Sequence, residues 1–163
     1  ILRMVAAMED VKLVWRTFEE LDPRTLYALL QLRQAILVVE QKSPYADLDG
    51  RDVEARHLLA VDPTGMVLGY ARLFGPRYRD DLDEEITTFG RLVIIPERRK
   101  RGLGRAIMKE CLKVLDEEFP SHDIRISAQQ YLEPFYEALG FKRDSEPYDD
   151  AGVEHIDMRR KRK

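Results

Sequence analysis

Arg99-Lys100-Arg101-Gly102-Leu103-Gly104 follows an apolar, strand-like run from Phe89 to Ile95 and opens a stretch with helical spacing. Glycines at 102 and 104 let backbone approach a ligand without interference from a Cβ. The first amides of a helix lack intrahelical partners, and its dipole favours negative charge at that end. With Arg98, Arg99, Lys100, Arg101 and Arg105 around it, the segment reads as an anion-binding turn fit for a diphosphate. Taken alone, the same run is also compatible with a solvated helix start or a nucleic-acid patch.

Elimination narrows the ligand. A Walker loop needs Gly, four residues, then Gly-Lys-Ser/Thr, and that spacing does not occur. A dinucleotide fingerprint needs a small residue where Ile107 stands, and no repeated strand-helix-strand unit precedes it. What remains is Arg-x-x-Gly-x-Gly shortly after Pro96. Downstream, Ile124-Arg125-Ile126-Ser127-Ala128-Gln129 leads into Tyr131 to Phe141, which holds Phe135-Tyr136-x-x-Leu139-Gly140-Phe141. The two motifs, in this order, resemble the acyl-CoA pyrophosphate loop and closing signature of the GNAT superfamily of N-acyltransferases. Gln31-Leu32-Arg33, Val38-Val39-Glu40-Gln41, Pro44 to Asp52, His57-Leu58 and Glu154-His155-Ile156-x-Met158 are similar to the ElaA family within it. Ile36-Leu37 and Ser43 depart from that family's more usual residues, so neither position is expected to carry an essential role.

The resemblance implies an α/β fold with a mixed, mostly antiparallel sheet of six to seven strands flanked by helices and splayed between the fourth and fifth strands. It implies a single domain over residues 1–163 and acetyl-CoA as co-substrate. The cofactor would lie on Leu92, Val93 and Ile94 and on the loop Arg99, Lys100, Arg101, Gly102, Leu103, Gly104 and Arg105. Gln129 stands where the family often places an asparagine that contacts the cofactor. An extended pantetheine arm can pair with a strand edge as an added strand would.

The implied reaction is direct attack of a primary amine on the thioester in a ternary complex. A lysine-like amine of pKa about 10.4 is neutral in only about one molecule in 2,500 at pH 7, a deficit of roughly 4.6 kcal/mol. A base, or a site that lowers the amine pKa, must supply most of that. Tyr136 matches the family's tyrosine general acid, and a phenol stays protonated at neutral pH. The strand carboxylate that many members use as base has no counterpart between Phe89 and Ile95. Glu40, His57 and His155 are the candidate bases, alongside proton loss through a water chain. A non-catalytic acyl-CoA-binding sensor would keep the loop without needing the acid.

Other sites fail on spacing. Asp47-x-Asp49-Gly50-x-Asp52 has the look of a calcium loop, but counting from Asp47 puts glycine fourth instead of sixth and Leu58 twelfth. Three histidines and one cysteine show no zinc pattern, so no metal is expected. The net charge of −3 conceals segregation: basic residues gather at 98–105 and 159–163, acidic ones at 80–85 and 144–154. The acidic segments could steer a cationic small-molecule or peptide amine. Without interleaved aromatics, the basic tail gives nucleic acid little support as a partner. Cys111 sits one helical turn from Ile107 and Leu115, a core position, and a lone cysteine fits a cytoplasmic protein. No run is long enough to span a membrane, residues 1–10 lack a basic start followed by an apolar core, and exposed strand edges allow a monomer or homodimer.

The elements that must position these groups follow from pattern. Val11 to Trp15 reads as a strand. Asp22-Pro23 reads as a helix cap followed by proline at the first helical position. The β-branched pair Val38-Val39 then leads toward a break at Ser43-Pro44. His57 to Val61 and Met66 to Phe74 flank a hairpin turn at Asp62-Pro63-Thr64-Gly65. An acidic loop is expected over 75–85, strands over about 86–95 and 123–128, and helices over 102–118 and 131–139. Final strands are expected near 141–144 and 154–160.

Overall fold

The computed structural model describes residues 10–162. Strand β1 (Lys12–Arg16) pairs with β2 (Arg56–Val61), and β2 pairs with β3 (Val67–Arg79) through the expected turn. There Asp62 Oδ1 accepts from the Thr64 and Met66 amides, and Gly65 takes φ +85°. β3 pairs with β4 (Glu84–Ile94). The chain then enters helix α2 (Leu103–Glu118), strand β5 (Ile124–Gln129), the short helix α3 (Glu133–Glu137), and strands β6 (Lys142–Arg143), β7 (Tyr148–Asp150) and β8 (Val153–Arg160). Helix α1 (Pro23–Arg33) begins at the anticipated cap, where Asp22 Oδ1 accepts from the Arg24 and Thr25 amides.

The sheet runs β1-β2-β3-β4-β5-β8-β6, with β7 on β8. Every pairing is antiparallel except β4 with β5, which is parallel and registers only at Thr87↔Ile124. Thr87 closes that end, its amide and its hydroxyl both donating to the Asp123 carbonyl at 3.0 and 3.1 Å. Beyond it the strands diverge: β4 stays on β3, and β5 stays on β8 from Ile124↔Arg160 to Gln129↔His155. α2 packs its apolar stripe of Leu103, Ile107, Met108, Cys111, Leu112 and Leu115 into the main core beside Phe89, Ile126 and Met158. Cys111 is fully buried, as its spacing predicts, and burial pushes its thiol pKa up to about 12.

Two expectations need correction, and one run takes a form that the sequence left open. The 75–85 loop shrinks to a turn, because β3 continues to Arg79 and β4 starts at Glu84, where opposite charges face each other across the ladder. A charged sequence reads as loop, yet paired charges suit a solvated strand end. The acidic 144–154 segment contains β7, which brings the sheet to eight strands. Val38-Val39 is not extended: Gln34–Glu40 continues α1 as a π-helix, with Gln41 N donating to Ile36 O and Ser43 N to Val38 O. Tertiary packing overrides the weak β-propensity of two valines.

After the π-helix, residues 42–55 contain little regular structure and hang on a buried ionic cluster. Arg33, fully buried, donates from Nε to Asp47 at 2.8 Å and from Nη1 to Asp52 at 2.6 Å. Arg72 bridges Asp49 and Asp52, and Arg91 pairs with Asp47 at 2.7 Å. Burial alone would raise the Asp52 carboxyl; hydrogen bonding to Arg33 and the charges of Arg33 and Arg72 bring it below its ordinary value. Hydrogen bonding to Arg72 lowers Asp49 against its burial.

Removing one partner strands the others as buried charges, so Arg33→Ala should cost about 3–5 kcal/mol in chemical denaturation. A depressed carboxylate contributes stability that is complete above its unfolded pKa near 4 and is lost as pH falls through the lower folded value. Stability should therefore drop below about pH 4, and Asp52→Asn should flatten that drop. An unchanged slope would remove Asp52 from the account.

Candidate active site

The divergence of β4 from β5 opens a cleft of about 1080 Å³. One wall is β4 with the π-helix and the 42–55 loop; the other is β5 with β7, β8 and α3. Among the described residues, two hydrogen bonds cross between them, Gln129 Nε2 to Gln41 Oε1 at 2.9 Å and Ser43 Oγ to the Ala151 carbonyl at 2.8 Å. Ile36, Leu37 and Ser43 all line this cleft.

At one end lies the glycine loop. Lys100 and Gly102 both take left-handed backbone, φ +58° and +85°, and Gly102 caps α2 without a side-chain acceptor. Successive turns of this hand aim amide N–H groups into a concavity suited to an anion. A Cβ on Gly104 would stand 3.0 Å from Ile94 Cδ1, so the helix start lies tight against β4. Lys100 and Arg105 line the cleft with no carboxylate partner among the described residues, and Arg105 lies over the Phe135 ring at 5.5 Å. These features fit the diphosphate of an acyl-CoA.

Arg99 serves differently. Its Nε donates to the Ile94 carbonyl, and its two terminal nitrogens take both oxygens of Glu40 at 2.7 and 2.9 Å. The side chain braces the loop against the π-helix. Leu92, Val93, Ile94, Gly102, Gly104 and Gln129 also line the cleft, whereas Arg101 and Leu103 do not. Leu103 is in the core, and Arg101 is exposed.

The candidate acid and bases separate clearly. Tyr136 faces the cleft from α3, packed edge-on against Phe135 and Phe141, and its hydroxyl has no hydrogen-bond partner among the described residues. Burial pushes its pKa up to about 12. His155 lines the cleft from β8, stacked on Tyr148. Its Nδ1 lies 2.8 Å from the Val153 carbonyl and must donate, so the neutral ring carries its lone pair on Nε2. Glu40 reaches the cleft with both oxygens engaged by Arg99. His57 is fully buried and outside the cleft lining: Nε2 donates to the Asp52 carbonyl and Nδ1 accepts from the Tyr70 hydroxyl. Burial lowers its pKa and holds it neutral. His57 is a core bridge between β2, β3 and the ionic cluster, removed from the other candidates.

Sequence reasoning missed the strand-four bulge and the role of the aspartates. The register slips between Tyr70 and Arg72, and Arg91 takes φ +54°, a left-handed conformation in a non-glycine residue within a strand. The one local signal is Gly90, since an isolated glycine inside a strand pattern suggests a bulge. The Asp47, Asp49 and Asp52 spacing was legible, but its partners Arg33, Arg72 and Arg91 lie on three other elements. Much of the described part of the basic tail is likewise spent internally: Arg159 pairs with Glu84, Asp123 and Asp144, Arg160 with Asp116, and Lys161 with Asp123.

The parallel pair thus splits to leave a strand edge facing a glycine-loop helix start. Residues 31–162 match the family model described as an acetyltransferase (GNAT) domain, and the chain belongs to that family. It is 36% identical to the protein ElaA of Escherichia coli over 143 residues, covering 86% of this chain and 90% of the relative. A UPF0039 protein of Schizosaccharomyces pombe is 34% identical over 153 residues, with 93% and 98% covered. The E. coli ElaA crystal structure superposes with a TM-score of 0.82 at 34% identity, covering 93% of this chain and 99% of that one. An acyl-CoA N-acyltransferase from Pseudomonas aeruginosa gives the same score and identity, with 92% and 99% covered. Acyl transfer from an acyl-CoA is thus the general activity of this fold.

Gly104→Glu places a carboxylate where the diphosphate charge would sit and presses on Ile94. Calorimetric titration should show acetyl-CoA binding weakened beyond detection, with the far-ultraviolet spectrum retained. Wild-type affinity in this variant would move the diphosphate elsewhere.

Proposed function

We propose that the protein transfers an acetyl group from acetyl-CoA to a primary amine by direct attack within a ternary complex. The observation that carries this reading is the shared cleft: the glycine loop, the β4 edge, Tyr136 and His155 all line it. In this reading Lys100, Arg105 and the amides opening α2 receive the diphosphate. The pantetheine arm lies along Leu92 to Ile94, whose edge lacks a neighbouring strand.

Tyr136 acts as the acid toward the departing thiolate. An unpartnered phenol pushed up to about 12 keeps its proton throughout the neutral range and has a hydrogen to give. His155 is the base of choice among the three candidates, because its tautomer leaves Nε2 able to accept from the amine, directly or through water. Glu40 acts through Arg99 as a positioning residue, and His57 supports the fold. The sensor alternative assigns no task to a cleft-facing phenol and imidazole.

The test is thiol release across a panel of polyamines, aminoglycosides, arylamines and lysine peptides. Tyr136→Phe should preserve acetyl-CoA affinity and lower kcat by about 10²–10⁴-fold. His155→Gln should lower kcat similarly, with acetyl-CoA affinity retained. Full turnover in either variant would clear that residue of its role. Binding of acetyl-CoA with no amine consumed would favour the sensor.

A further inference from the structure

The end of the cleft away from the glycine loop is rich in arginine, and all but one of the arginines there carry a carboxylate. Arg72 holds Asp49 and Asp52, Arg91 holds Asp47 and Asp49, Arg79 holds Asp81, and Arg125 holds Asp144 and Asp157. Arg51 has no ion pair or side-chain hydrogen bond among the described residues. Its guanidinium carbon lies over the Phe74 ring, 4.2 Å from the ring centre, and its Nε is buried without a partner. Both Arg51 and Phe74 line the cleft.

A half-buried cation with no paired counter-charge is costly unless an anion arrives to meet it. Contact with Phe74 holds the guanidinium in place, and its terminal nitrogens, with no partner among the described residues, are left for a carboxylate or phosphate. Burial, with Arg77 and Arg72 close by, disfavours the charge on Arg51 and makes an incoming anion more welcome. Of the acidic segments, Asp81, Glu84 and Asp144 are each paired with arginine, while Asp150 lines the cleft.

We propose that the amine acceptor carries a second, anionic group, a carboxylate or phosphate, which Arg51 receives on its Phe74 platform while the amine reaches the Tyr136–His155 region. This inference rests on the acetyltransferase reading and names the substrate class of the same site.

The experiment compares matched acceptors. ω-Amino acids of three to six carbons are set against their amides, and O-phosphoethanolamine with its longer homologues against the parent amino alcohols. The series also finds the spacing and tells carboxylate from phosphate. With wild-type protein, kcat/KM should favour the best anionic acceptor over its neutral partner by about 10- to 100-fold. In Arg51→Met that ratio should fall to about one, carried by KM, with acetyl-CoA affinity retained as proof of an intact cleft; Arg51→Lys should recover part of it.

Equilibrium binding of the same acids and amides to the CoA-loaded protein decides the matter even where no thiol is released. Tighter binding of the acid, abolished by Arg51→Met, sustains the anion site although the transfer reading has failed. Equal binding of acid and amide, or an Arg51→Met ratio equal to that of wild type, overturns it.

Discussion

From Thr87 onward the outer edge of β4 gives up its neighbour, and the rest of the site follows from that loss. Backbone donors and acceptors along an interior edge must be met by a strand, a side chain, water or a ligand. The protein keeps β5 away by pairing it with β8 along its whole length and by pinning β4 to β5 only at Thr87 and Ile124. An extended chain bearing amides satisfies such an edge better than water does, because it supplies donors and acceptors at strand spacing. The glycine loop lies at the open end of the same wedge, where α2 aims its first amides.

Holding a wedge open requires walls that do not collapse, and polar clamps provide them. On one side Arg33, Arg72 and Arg91 fasten the irregular 42–55 segment through three aspartates, and Arg99 ties the glycine loop to Glu40 on the π-helix. On the other, Arg125 and Arg159 lock β5 and β8 to Asp144. Arginine suits this task because its fork fixes direction as well as charge. The apolar core under α2 supplies the stability, and the ionic clamps set the shape.

Local signals made much of this readable. The Asp22-Pro23 cap, the Asp62 to Gly65 turn and the α2 stripe each depend on neighbours within a few residues, so their types and spacing suffice. The glycine loop and the Phe135 to Phe141 signature were legible for the same reason. The π-helix was not, since Val38 and Val39 favour strand locally, whereas Ile36 and Leu37, packed into the core, hold the segment helical. Nor could sequence separate the three histidine and glutamate candidates. His57 and His155 share an intrinsic pKa, and only the fold buries one with both nitrogens satisfied while it leaves the other a lone pair in the cleft.

The central claim is that the separated edge of β4 and the start of α2 together receive acetyl-CoA. Amide hydrogen exchange, measured with and without saturating acetyl-CoA, addresses both segments at once. Slowed exchange concentrated at Leu92 to Ile94 and at Gly102 to Arg105 is the result this account predicts. Acetyl-CoA binding that leaves those amides unchanged and protects another surface would contradict it.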